Sequence, residues 1–149
     1  MRLTEHFWLR EFRAPATDIA ALKCFALASL IESCWRGLAG QITITSGYRS
    51  QQDNERVGGA PKSDHLFGGL GAAADFVGEN WDNNIKLAGL SKLSSTSDMW
   101  GQCIMYHDHP HIHLSLAGTH NRQMFFYSNK IYHHILTVDE LKIKLEAIK

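Results

Sequence analysis

After Asp18 the apolar residues Ile19, Leu22, Ala26, Leu30, Cys34 and Leu38 recur at steps of three and four, with Lys23, Glu32 and Arg36 elsewhere on the wheel. That period predicts one long amphipathic helix, closed by the glycines between Gly37 and Gly40. Ahead of it, Thr4 is placed to cap a short helix bearing Phe7, Leu9 and Phe12, which Pro15 interrupts. The period then drops to two. Ile42 and Ile44 alternate with Thr43 and Thr45, as in a half-buried strand.

Beyond this strand lie Ser46-Gly-Tyr-Arg-Ser, a polar loop to Lys62, and a glycine-rich loop from Ser63 to Gly71. Ala72 to Val77 reads as a strand whose small residues let it sit close to a neighbour, with Asp75 projecting from it. From Trp81 to Leu93 a helical pattern turns Trp81, Ile85, Ala88 and Leu93 inward, and Ser94 to Asp98 is a loop. The stretch Gln102 to Tyr106 and the stretch His111 to Leu116 make an antiparallel pair turning through His107 to Pro110. Met124 to Tyr127 and Ile131 to Leu136 form a second hairpin, and Thr137 with Glu140 is a capping box opening a last helix with Leu141, Leu145 and Ile148. The class is α+β, a small antiparallel sheet with helices packed on it.

Composition narrows what such a fold serves. With 149 residues the chain can bury a proper core as one domain, 1–149, without disulfides or obligatory assembly, so a monomer is the expected state. Lys plus Arg (15) balance Asp plus Glu (15) and are scattered, which removes the electrostatic footprint of a nucleic-acid or polybasic membrane binder. Cys24, Cys34 and Cys103 read as buried thiols rather than a disulfide framework or a thiolate metal site. The first residues lack the continuous apolar run of a secretory signal, and no stretch is long enough to span a bilayer. The expectation is synthesis in a cytoplasm, no membrane insertion, and delivery by other means if the substrate lies outside.

Chemistry concentrates between Tyr106 and Ser115, where His107, His109, His111 and His113 crowd together. On a strand, His111, His113 and Ser115 share one face and Ile112, Leu114 and Leu116 the other. A His-rich surface turn that binds nothing would carry the same residues. Two further pieces change the balance: His65 in the glycine loop and Asp75 on the following strand. Two imidazoles and one carboxylate leave a tetrahedral metal one open position, the pattern of catalytic rather than structural zinc. Such triples arise in many sequences, so the residue types alone leave both readings open.

Four ordered motifs go further: Ser46-Gly-Tyr-Arg-Ser, Ser63-x-His65, Gly71-x-Ala73-x-Asp75 and His111-Ile-His113-Leu-Ser. Together they resemble the zinc D-alanyl-D-alanine carboxypeptidases and the related phage endolysins, which share a fold with lysostaphin-type peptidases and hedgehog domains. Leu3-Thr-Glu-His-Phe and Asn54-x-x-Val57-Gly-Gly-Ala look like the short, phage-associated branch, so the resemblance covers about residues 3–116 and leaves 117–149 as a hairpin and helix extension. It implies one Zn2+ per chain on His65, Asp75 and His113. It also implies that Arg49 binds a substrate carboxylate or polarised carbonyl, with Ser63 and Tyr48 beside the substrate and His111 stabilising the developing oxyanion. The expected substrate is a peptidoglycan stem peptide, cut at a D-Ala-D-Ala or L-Ala-D-Glu type bond after release from a host cell or from within a virion.

The chain departs from that pattern twice. Where the family has Ser-x-His-x-x-Gly-x-Ala-x-Asp, nine residues separate His65 from Asp75 instead of six, an apparent insertion within Leu66 to Leu70. Where this branch ends a strand with an acid, Gln-x-Ile-x-Glu, the chain has Gln102-Cys-Ile-Met-Tyr106. Asp108 and His111 are the substitutes for the missing base. A non-catalytic zinc-binding module, virion or tail associated, is the alternative. Bland readings also stand: Arg49 paired to an acidic neighbour, His107, His109, His133 and His134 on the surface, Asp108 as a turn cap, and Trp8, Trp35, Trp81 and Trp100 in the core.

Overall fold

A computed structural model describes residues 1–96, 98–118 and 122–148. Four helices flank one six-stranded sheet. Helix α1, Asp18–Ile31, is capped by the Thr17 hydroxyl accepting from Ala20 N–H, and it runs on through a π turn, Glu32–Arg36, and a last turn, Gly37–Ala39. Strand β1 is Ile42–Ser46, α2 is Gln51–Arg56, β2 is Ala73–Gly78 and α3 is Asn83–Ser94. Strands β3, Trp100–Tyr106, and β4, Ile112–Leu116, form the expected hairpin; β5, Gln123–Ser128, and β6, Ile131–Ile135, form the next, before α4, Val138–Glu146.

The sheet order is β1-β2-β4-β3-β5-β6. All neighbours are antiparallel except β3 and β5, which run parallel with Tyr106 opposite Tyr127, so the sheet is antiparallel as expected from the pattern at every neighbour but that pair. The reason is topological. The β3–β4 hairpin puts β4 against β2, which leaves the far edge of β3 to be covered by the next strand running in its direction.

Alternation sorts the two faces. Ala72, Ala74, Phe76, Cys103, Met105, Ile112, Leu114, Met124 and Phe126 join a core with Cys24, Leu27, Ile31, Trp35 and Leu90 of the helices. The opposite face carries Asp75, Tyr106, His113 and Tyr127. Helix α1 buries a different stripe from the one its period suggested: Ile19 and Leu22 are exposed, and Ala20, Ala21, Cys24, Leu27 and Ala28 face the sheet. Several alanines bring the backbone close, and a stripe chosen by residue size passes over them. In α3, Leu87 and Leu90 are buried where Ala88 was expected. Trp8 is likewise exposed, while Trp35 and Trp100 are core.

Three smaller expectations also resolve. The first turn is a 3-10 helix at Leu9–Phe12 begun by Glu11 accepting from Trp8 N–H at 2.6 Å; Thr4 instead accepts from Phe7 N–H. The polar loop before Lys62 contains α2. In the loop expected from Ser94 to Asp98, Ser94 closes α3 and Ser97 lies outside the described residues. The three cysteines are buried and free, and burial pushes the Cys24 thiol up to about 12.

Candidate active site

The polar face of β2 and β4 sets the site. Asp75 and His113 are direct cross-strand partners, and Ile104 of β3 lies opposite His113 on the other side. Cross-strand partners on one face stand close enough for side chains to meet. His113 Nδ1 is 2.8 Å from Asp75 Oδ1. His65 arrives from outside the sheet on a 3-10 turn, Asp64–Leu66, with Nε2 3.3 Å from both Asp75 Oδ1 and His113 Nδ1. These three ligand atoms lie within 4.8 Å of one another in a buried group.

His65 is held from behind. Its Nδ1 is 2.6 Å from Gly47 O, and since a carbonyl only accepts, Nδ1–H donates and Nε2 is the atom turned to the group. Arg49 N–H donates to His65 O at 2.8 Å, and the Ser63 hydroxyl caps the turn by accepting from His65 N–H at 3.3 Å. Gly47 sits against the backbone of Phe12, so closely that a Cβ there would overlap the Phe12 carbonyl. The first turn of the chain thus fixes the strand end that fixes the imidazole.

Burial by itself would raise the Asp75 carboxyl, but the imidazoles of His113 and His65 beside it hold it well below the ordinary carboxylate range. Its second oxygen, Oδ2, accepts from Arg49 Nη2 at 3.3 Å, and Arg49 Nε donates to Ser46 Oγ at 3.2 Å. Arg49 is therefore both paired to an acidic neighbour and part of the wall. A cavity of about 350 Å³ opens over the group, and its lining includes Arg49, Ser63, Gln102, Tyr106 and Tyr132.

The remaining expected residues fall elsewhere. Tyr48 lies away from this cavity, its ring edge-on to Phe67 at 5.5 Å. Asp108 is exposed in the turn between β3 and β4 and does not line the cavity. His111 is half-buried with its ring 4.5 Å from that of Tyr106; desolvation, countered by the Asp75 charge, lowers its pKa. That turn is tied down by the Trp81 indole N–H donating to Pro110 O. His107, His109 and His134 are exposed, and His133 is half-buried.

Two wall residues, Gln102 and Ile104, were legible in the alternation that places them on the face of Tyr106. Tyr132 had no local signal. Nor had Lys23 of α1, whose ammonium donates to Phe67 O, Gly69 O and Gly71 O at 2.7, 2.7 and 3.0 Å and so secures the inserted loop. That loop walls a neighbouring cavity of about 460 Å³ reached past Lys62, Ser63 and Asp64.

Zinc, which the resemblance implies, fits this donor set: two imidazole nitrogens and one carboxylate oxygen converge, one imidazole is oriented through its other nitrogen, and a cavity leaves room for further ligands. No curated protein and no solved structure matches the chain. Residues 11–115, more than half of it, match the family described as Peptidase M15, a span that holds every member of the His65–Asp75–His113 group. The chain therefore belongs to the peptidase M15 family.

Proposed function

We propose that this protein is a zinc metallopeptidase that hydrolyses peptidoglycan stem peptides, at a D-Ala-D-Ala or L-Ala-D-Glu type bond, acting as a monomer on the cell wall after release or as part of a phage or prophage particle. The observation that carries this reading is the buried His65–Asp75–His113 group beneath a cavity walled by Arg49 and Ser63. Zinc bound there would polarise the scissile carbonyl and bring the pKa of an attacking water toward neutrality.

The chain's own residues supply the rest. Asp75 and His113 are set by strand register, and His65 by the Gly47 carbonyl, so the ligands are positioned before any metal arrives. Arg49 faces the cavity with a forked, permanently charged guanidinium suited to a substrate carboxylate. Neither candidate base lines the cavity, but His111 lies against Tyr106, which does, while Asp108 sits in an exposed turn.

The test is digestion of purified peptidoglycan by the zinc-loaded protein, with mass spectrometry of the released stems. New amine termini that disappear in His113→Ala and persist in Asp108→Ala are the expected result. One observation favours a second reading, a zinc-binding module without turnover: among the described residues the only carboxylates lining the cavity are Asp64 and Asp75, and the usual acid is Tyr106. Absence of any released stem over long incubation would establish that reading instead.

A further inference from the structure

The cavity wall is completed by a residue beyond the family match. Strands β3, β5 and β6 are neighbours, and their register lines up Tyr106, Tyr127 and Tyr132, with ring centroids 5.4 Å apart for the first pair and 4.6 Å for the second. The side chains of Tyr106 and Tyr132 both line the cavity that holds His65, Asp75 and His113. Tyr132 lies seventeen positions past the last matched residue, Ser115, counting 132 − 115. It remains half exposed, 55%, so the fold does not need it as core.

Position and chemistry together say what the pair can do. Tyr106 stands two residues along β3 from Ile104, which lies opposite His113, so its side chain is on the same face and lines the same cavity, at the position where the branch it resembles has an acid. A phenol is protonated at neutral pH and donates where a carboxylate would accept. Each of the two phenols lining the cavity carries one O–H that can be given to a ligand there. In amide hydrolysis the group that most needs a donor is the carbonyl oxygen as it becomes an oxyanion.

We propose that the phenols of Tyr106 and Tyr132 donate to the substrate's scissile carbonyl oxygen, which makes the C-terminal β5–β6 hairpin a working part of the active site. This rests on the peptidase reading above. The experiment compares full-length zinc-loaded wild type with Tyr132→Phe and Tyr106→Phe, both of which keep the ring. Steady-state hydrolysis of a soluble stem peptide is measured alongside binding of a phosphinate analogue with a tetrahedral centre and of the uncleaved amide.

Loss of one oxyanion donor predicts kcat lower by about 100-fold, phosphinate affinity lower by a similar factor, and KM and amide affinity within about threefold of wild type. Zinc content and melting temperature of Tyr132→Phe should match wild type, which separates this from a structural role. Wild-type kcat and phosphinate affinity in both variants would overturn the inference while leaving the peptidase reading intact. A wild-type protein that neither cuts the peptide nor binds the phosphinate would overturn both, and needs no variant to be recognised.

Discussion

Among the described residues the molecule holds two clusters of histidine and carboxylate, and they teach different lessons. His65, Asp75 and His113 are buried, whereas Glu5 and His6 are exposed and Glu32 is half-buried, although each set brings its ligand atoms within 4.8 Å. In the first, sheet register and the Gly47 carbonyl fix the donors. In the second, His6 Nδ1 meets Glu32 Oε1 at 2.6 Å, and among the described residues Glu32 Oε2 is buried without a hydrogen-bond partner and nothing comparable orients the imidazole from behind. Residue type and proximity are common to both; what differs is orientation imposed from behind, which is what lets a group hold a metal without first paying to order itself.

The strongest way to break the comparison is to remove a ligand. Metal analysis of purified protein should give about one zinc per chain, falling to nearly none in His113→Ala or His65→Ala and unchanged in His6→Ala. Equal loss in all three would erase the distinction. Next in size is the support behind His65. Gly47→Ala forces a methyl into the Phe12 backbone and should cost more than about 2 kcal/mol in denaturant unfolding, with weaker zinc binding in whatever remains folded.

Ser63→Ala removes the cap from the turn that carries His65. A loss of about 1 kcal/mol is expected by thermal or chemical unfolding, with a weaker zinc site and no change in fold by circular dichroism.

The smallest effect belongs to the second cluster. Burial would raise the Glu32 carboxyl, but hydrogen bonds from Thr4 and His6 outweigh it and lower its pKa in the folded protein. A depressed folded value means the pair's contribution is complete above the ordinary carboxylate range and disappears as pH falls through the lowered one. Glu32→Gln should therefore cost no more than about 1 kcal/mol at neutral pH and progressively less in acid, as unfolding at several pH values would show. A constant difference between pH 3 and 7 would sink that account.

Much of this site was legible from residues alone. Period-two alternation marks β1 and sorts the faces of β4, small residues mark β2, and the ordered motifs join His65 and Asp75 to His113. The substitution at Tyr106 is also plain in the sequence, since it breaks a pattern. What escaped was contact between distant positions. Lys23 lies 44 to 48 positions from the carbonyls it binds, and a lone lysine on a helical wheel gives no sign of its partner.

The sequence by itself determined most of the elements and the α+β class, because these rest on local periodicity, while its ordered motifs, through the family they resemble, singled out His65, Asp75 and His113 and the two departures. Only the tertiary structure decided the stripe α1 buries, the parallel β3–β5 pairing, the distance of Tyr48 and Asp108 from the cavity, and the arrival of Tyr132 beside Tyr106. Those depend on which strand edge remains open after the β3–β4 hairpin forms, and on how closely an alanine-rich helix can approach a sheet. Neither is written in the period of any single segment.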